Sequence, residues 1–230
     1  MNTHLSSLST TYGVDVIQQR NRVLRNTYWL LALSMVPTVL GAWVGLATGL
    51  NSMMSGMVGL VVFLAGSFGF MYAIEKTKHS SAGVAVLLAF TFFMGVMLSR
   101  LVGMVLGLAN GTSLIMTAFA GTGVVFLAMA SLSSVIKRDL SSMGKFLFIG
   151  MIMLLVAGIA NVFIQSSALM ITLSVLAIGI FSAFILHDLK RVQDGEETNY
   201  ISATLGVYLS LYNVFQSLLS LLGIFGGRDE

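Results

Sequence analysis

Residues 201–225 read ISATLGVYLSLYNVFQSLLSLLGIF, and whether this stretch crosses a membrane decides the fold. It is long enough, because about 20 apolar residues at 1.5 Å each cover ~30 Å of hydrocarbon. It is also the least apolar run of its kind in the chain. Ser202, Gly206, Ser210, Asn213, Ser217 and Ser220 interrupt it at intervals of three and four, which places them on one stripe of a helix. Turned toward lipid, the Asn213 amide would be left without partners, at a cost of several kcal/mol. The stripe therefore predicts a helix whose small and polar side faces the interior of a bundle or a hydrated cavity. Tyr208 and Tyr212 lie off the stripe. The competing reading makes 201–225 a surface hairpin and leaves six spans. The stripe favours a seventh, central helix.

Six more runs of spanning length precede it. They cover about Tyr28–Thr48, Met57–Ile74, Gly83–Leu106, Ser113–Ile136, Phe146–Ile164 and Leu169–His187. The connections between them are short, which predicts one all-α, seven-helix integral membrane bundle over 28–225. A polar segment over 1–27 precedes it and a short tail over 226–230 follows. Composition agrees. Only 9% of residues are charged, against 57% hydrophobic, and mean hydropathy is +0.93. A water-soluble domain carries about a quarter charged residues, so the main solvent of this chain is the lipid bilayer. There is no cysteine, which excludes disulfides and thiolate metal sites.

The basic residues set the orientation. Arg20, Arg22 and Arg25 precede the first span, and Lys76 and Lys78 follow the second. Lys137, Arg138 and Lys145 follow the fourth, and Lys190 and Arg191 follow the sixth. The alternate loops at 50–55, 107–112 and 165–168 hold neither Lys nor Arg. Ten of the twelve basic residues thus fall on one side. The exceptions are Arg100, within the third span, and Arg228. The positive-inside rule makes the basic side cytoplasmic. The N-terminus is then inside and, with seven spans, the C-terminus outside. The charge follows loops and gives no sign of nucleic-acid binding.

Candidate functional groups are few. Asp188 adjoins the sixth span in Phe184-Ile185-Leu186-His187-Asp188-Leu189-Lys190-Arg191. As a carboxylate at a helix C-terminus it opposes the helix dipole. It is either an interfacial ion pair, with Arg191 one turn on or with a Lys from a neighbouring loop, or a titratable gate. Arg100 reads as a side chain that snorkels to the interface. Asn161 in the fifth span is a second buried amide and a partner for Asn213. His79 and His187 read as solvated loop residues. Gly41, Gly45 and Gly49, and Gly95, Ser99, Gly103 and Gly107, give the first and third spans the small faces that let membrane helices approach closely. A dimer interface is the alternative use of those faces. Neither a His-Glu-x-x-His nor a Gly-x-Ser-x-Gly motif occurs, nor a phosphate-binding loop. No base stands beside a Ser or Thr to activate it. The reading is non-enzymatic, with no cofactor and no metal site.

Five segments together resemble the Bax inhibitor-1 family of transmembrane proteins. They are Ala89-Phe90-Thr91-Phe92-Phe93-Met94-Gly95, Lys137-Arg138-Asp139-Leu140, Gly158-Ile159-Ala160-Asn161-Val162-Phe163, Ile185-Leu186-His187-Asp188 and Tyr208-Leu209-Ser210-Leu211-Tyr212-Asn213-Val214-Phe215. The resemblance spans nearly the whole chain and implies seven helices with the last one central. In family members described as pH-sensitive calcium leak channels, a pair of aspartates bridges the sixth and seventh helices. Asp188 matches the first of these and Ser210 stands at the second. The serine removes the shared-proton logic of a carboxylate pair. The Tyr-Leu-Ser-Leu-Tyr-Asn version is similar to the bacterial YccA-like branch, which implies an inner-membrane protein that modulates the FtsH membrane protease by binding it. A pH-influenced calcium leak is the other function the resemblance implies.

Overall fold

A computed structural model describes residues 2–53, 56–140 and 142–227 of the chain, with side chains from 18 onward apart from 51 and 53. Arg228 and the last two residues of the expected tail lie outside the described residues. The elements, in chain order, are α1 (Asn2–Ala47), the single turn α2 (Leu50–Met53), α3 (Gly56–Thr77), α4 (Ala82–Leu106), α5 (Gly111–Val135), α6 (Met143–Ile164), α7 (Ser167–Asp194) and α8 (Tyr200–Gly226). Seven of them are long and apolar enough to cross a membrane. The protein is therefore an all-α, multi-pass membrane protein. The span within α1 runs over Gln18–Ala47, so residues 18–27 belong to the helix the sequence expectation started at Tyr28. Val23 and Thr27 are already buried there.

α8 is the axis of the bundle. It packs against α1, α3, α4, α5 and α7, and its least exposed residues form one broad face of the helix. They include Ile201, Val207, Tyr208, Val214 and Leu219, each no more than 1% exposed. Ser210, Ser217 and Ser220 from the polar stripe are buried as well. The stripe therefore marks only part of the buried surface. The tyrosines placed off the stripe are buried too, because α1 and α4 close that side. The Tyr208 hydroxyl lies 2.9 Å from Thr38 Oγ1 and 3.4 Å from the Thr91 carbonyl oxygen. The Tyr212 hydroxyl donates to the Met94 carbonyl at 3.3 Å. Buried hydroxyls in lipid need such partners.

α1 and α4 form the tightest helix pair, through glycines. A Cβ on Gly41 would fall on the Phe92 carbonyl and lie 3.0 Å from Val96 N. One on Gly45 would lie 2.6 Å from Ser99 Cβ. Gly41 and Gly45 of the small face on α1 therefore serve packing within the chain, while Gly49 lies past the end of α1 and a Cβ there would meet nothing within 4 Å. α6 is the opposite case, with close backbone packing on α7 as its main attachment. Phe146, Phe148, Ile149, Met153, Val156, Phe163 and Ile164 are all more than half exposed. In a membrane protein this is the surface that meets acyl chains.

Candidate functional site

The four basic segments come together at one end of the molecule. Gln193 Nε2 donates to Ser133 Oγ at 2.9 Å and Ser134 Oγ at 3.3 Å, tying the end of α7 to the end of α5. Asn199 Nδ2 donates to the Lys78 carbonyl at 2.8 Å, tying the α7–α8 turn to the end of α3. The Arg20 side chain lies over Gly195, and the His187 ring lies over Gly144 at the start of α6. Asn199 also caps α8, its Oδ1 accepting from Ile201 N at 2.9 Å and Ser202 N at 3.1 Å. Asn199→Ala removes the cap and the tie to α3, and is expected to cost about 1–2 kcal/mol. Asn199→Asp keeps the cap and should recover part of that loss. Unfolding by SDS titration in mixed micelles measures both.

Asp188 is not at a helix terminus. α7 continues two turns past the apolar run to Asp194. It is held by the Lys190–Asp194 pair at 2.6 Å and stopped by Gly195 at φ 83°. Glu196 N then bonds back to the Arg191 carbonyl at 2.9 Å, closing the helix end. The expected dipole conflict is thereby largely removed. Among the described residues neither Arg191 nor a lysine from a neighbouring loop pairs with Asp188. Arg191 lies 3.5 Å from Glu196 and Lys190 is bound to Asp194. Instead Asp188 Oδ1 lies 3.2 Å from His187 Nδ1. Its Oδ2 rests on Gly206 of α8, where a Cβ would come within 2.7 Å.

His187 corrects the sequence reading. It was expected to be solvated and is 7% exposed. The lengthened α7 carries it inward, and Gly144 lets α6 close over the ring. A Cβ on Gly144 would lie 2.8 Å from Nε2. Helical periodicity points the other way, since the buried Phe181, Ile185, Leu189 and Val192 lie on the side of α7 opposite His187. Only the register of α6 against α7 reveals the contact. His79 is exposed, as read.

The other candidates do not join this group. Ser210 is 3% exposed, one helical turn beyond Gly206 on α8. Asn161 and Asn213 do not pair. Asn161 Oδ1 accepts from Ser166 N at 3.1 Å, closing the end of α6, and Asn213 Nδ2 donates to its own helix at the Leu209 carbonyl, 2.8 Å. α6 does not reach α8 closely enough for the expected pair. Ser217 is buried farther along α8, and Arg100 is exposed on α4. Among the described residues, no three His, Asp or Glu side chains gather as metal ligands. At the basic end, buried His187 and half-buried Asp188 lie between two glycines, Gly144 of α6 and Gly206 of α8.

An axial seventh helix inside a shell of membrane helices, with an acidic residue of the penultimate helix against it, defines a class of small multi-pass membrane proteins. The family model for "Inhibitor of apoptosis-promoting Bax1" matches residues 20–227, and the chain belongs to this Bax inhibitor-1 family. An uncharacterized membrane protein of Vibrio cholerae is 38% identical over 229 residues, covering 100% of both chains. An uncharacterized protein of Neisseria meningitidis serogroup A is 37% identical, covering 91% of this chain and 94% of its own. The Escherichia coli K12 protein named modulator of FtsH protease YccA is 35% identical over 222 residues, covering 96% of this chain and 98% of its own.

Proposed function

We propose that this protein is a non-enzymatic regulator of proteolysis in the bacterial inner membrane. It acts by binding a membrane-anchored protease of the FtsH kind. The observation that carries this reading is the end-to-end similarity to the Escherichia coli modulator. Three further features support it. No nucleophile stands beside an activating base in the sequence. The exposed surface of the spans is apolar and suited to lipid or another membrane helix. α1 continues from the membrane span back to Asn2, so the chain projects a helix beyond the bilayer on its basic side. By the positive-inside rule that side is cytoplasmic, which would put α1 within reach of a protease that works there. A reporter fused after residue 230 should then be active only outside the cytoplasm.

The test is affinity capture of the tagged chain from detergent-solubilised membranes, with pulse-chase of a membrane substrate of the protease. The protease should co-purify, and the substrate's half-life should lengthen several-fold when this protein is abundant. An unchanged half-life together with no co-purification removes the proposal.

A further inference from the structure

α8 is wrapped on every side but one. From Ile201 to Val214 its residues are buried except Ser202, Leu205, Gly206, Leu209 and Asn213, which are half-buried, and half-buried Gln216 follows on the same side. Spacings of three and four put these residues on one line along the helix. α7 closes one edge of the line, where Asp188 Oδ2 rests on Gly206, and α4 closes the other, where the Tyr212 hydroxyl donates to the Met94 carbonyl. Between those edges Leu209, Asn213 and Gln216 stay partly uncovered. Asn213 is the middle residue of α8 and Gln216 lies one turn on. Both carboxamides are thus at least about 15 Å from either end of the helix, at the depth of hydrocarbon. Their hydrogen-bonding capacity is mostly unspent. Asn213 Nδ2 gives one N–H to its own helix, at the Leu209 carbonyl, while Asn213 Oδ1 and the whole Gln216 carboxamide have no partner among the described residues. No fully buried side-chain oxygen or nitrogen lacks a partner among those residues, so the unspent atoms face open space. Acyl chains cannot satisfy them, and leaving them bare in hydrocarbon is costly. The amide of Asn161 cannot serve, since it is bonded to Ser166 N and α6 packs closely on α7 alone.

We infer that this side of α8 docks one transmembrane helix of a partner protein, a helix that carries a Ser, Thr, Asn or Gln near its own midpoint. Residues spaced by three and four are what one helix presents to another. In lipid, carboxamides and hydroxyls that bond across helices supply attraction that hydrophobic burial cannot. The rest of the membrane surface makes no such demand. Leu127, Phe146 and Met153 are more than half exposed and apolar, and acyl chains match them. A second copy of this chain fits the line poorly. A symmetric pair would set the same recessed line against itself, with the edges formed by α4 and α7 meeting first. A single protruding helix reaches the floor. For the identity of the partner the inference rests on the reading given above, in which the helix belongs to the membrane-anchored protease.

A photo-crosslinking amino acid in place of Leu209, in the full chain in native membranes, should join it to the protease. The same amino acid in place of Leu127, 65% exposed on α5, should not. Asn213→Leu combined with Gln216→Leu should lower capture of the protease by about tenfold, the weight of lost interhelical hydrogen bonds. Neither amide bonds to another helix of the chain among the described residues, so the doubly changed chain should unfold in SDS at the parent's midpoint. Undiminished capture by the double variant overturns the docking line and leaves the protease reading standing. So does a lowered unfolding midpoint, which would give the amides a role within the chain's own fold. A crosslink from position 209 to a second copy of this chain, or one no stronger than that from position 127, has the same consequence. A parent chain that captures no protease overturns both readings.

Discussion

Gly95→Ile is expected to leave little folded bundle, and Gly95→Ala to lower stability by about 2–3 kcal/mol. A Cβ at Gly95 falls on the Thr38 carbonyl oxygen and lies 3.0 Å from Ala42 N. Both atoms are backbone, so neither can swing aside. The helices must move apart, and the seam loses its contacts at Gly41 and Gly45 in the same step. In a bilayer this loss is not offset by any hydrophobic drive, because helix association there rests on close packing and polar contacts. SDS titration followed by the fluorescence of Trp29 and Trp43, both on α1, reports the loss. Gly69→Ala is the control. A Cβ there meets nothing within 4 Å, and removing a mid-helix glycine should gain up to about 1 kcal/mol. Equal midpoints for Gly95→Ala and Gly69→Ala would contradict the backbone seam.

Tyr208→Ala is expected to cost about 3–5 kcal/mol, as for other large-to-small changes at fully buried aromatic positions. The ring is 1% exposed and stands 6.3 Å from the Phe90 ring, edge to face. Removing it leaves a void at the point where α1, α4 and α8 meet. Tyr208→Phe should cost only about 1 kcal/mol. The Thr38 hydroxyl keeps its bond to the Ser34 carbonyl at 2.8 Å, so removing the phenol leaves no donor stranded. The same SDS titration separates the two effects. If Tyr208→Phe proves as costly as Tyr208→Ala, the hydroxyl and not the ring holds the three helices together.

The sequence made most of the architecture legible because lipid imposes simple rules. Each span had to be a run of apolar residues near the bilayer's thickness, and those runs begin and end within a few residues of α1 to α8 except at two places. α1 starts earlier and α7 ends later than hydropathy indicates. In both, polar residues continue the helix beyond the apolar run, and length rules for spans say nothing about such extensions. The misreading of α7 had consequences for the site. Ending it at His187 made Asp188 a terminal carboxylate awaiting Arg191, whereas the helix runs on and Arg191 turns to Glu196. The Asn161–Asn213 pairing failed for another reason. Two polar residues on different helices can be matched by chemistry in a sequence, but which helices are neighbours is not written in either one.

By itself, then, the sequence determined the seven apolar runs, the gathering of Lys and Arg on alternate loops and the axial place of α8, because each follows from the cost of polar groups in hydrocarbon. Tertiary structure alone decided the partner of Asp188 and the burial of His187. Those depend on glycines at 144 and 206 letting two neighbouring helices approach α7 to within side-chain contact. A glycine in a sequence announces only that a close approach is sterically allowed. What approaches it is settled when the helices pack.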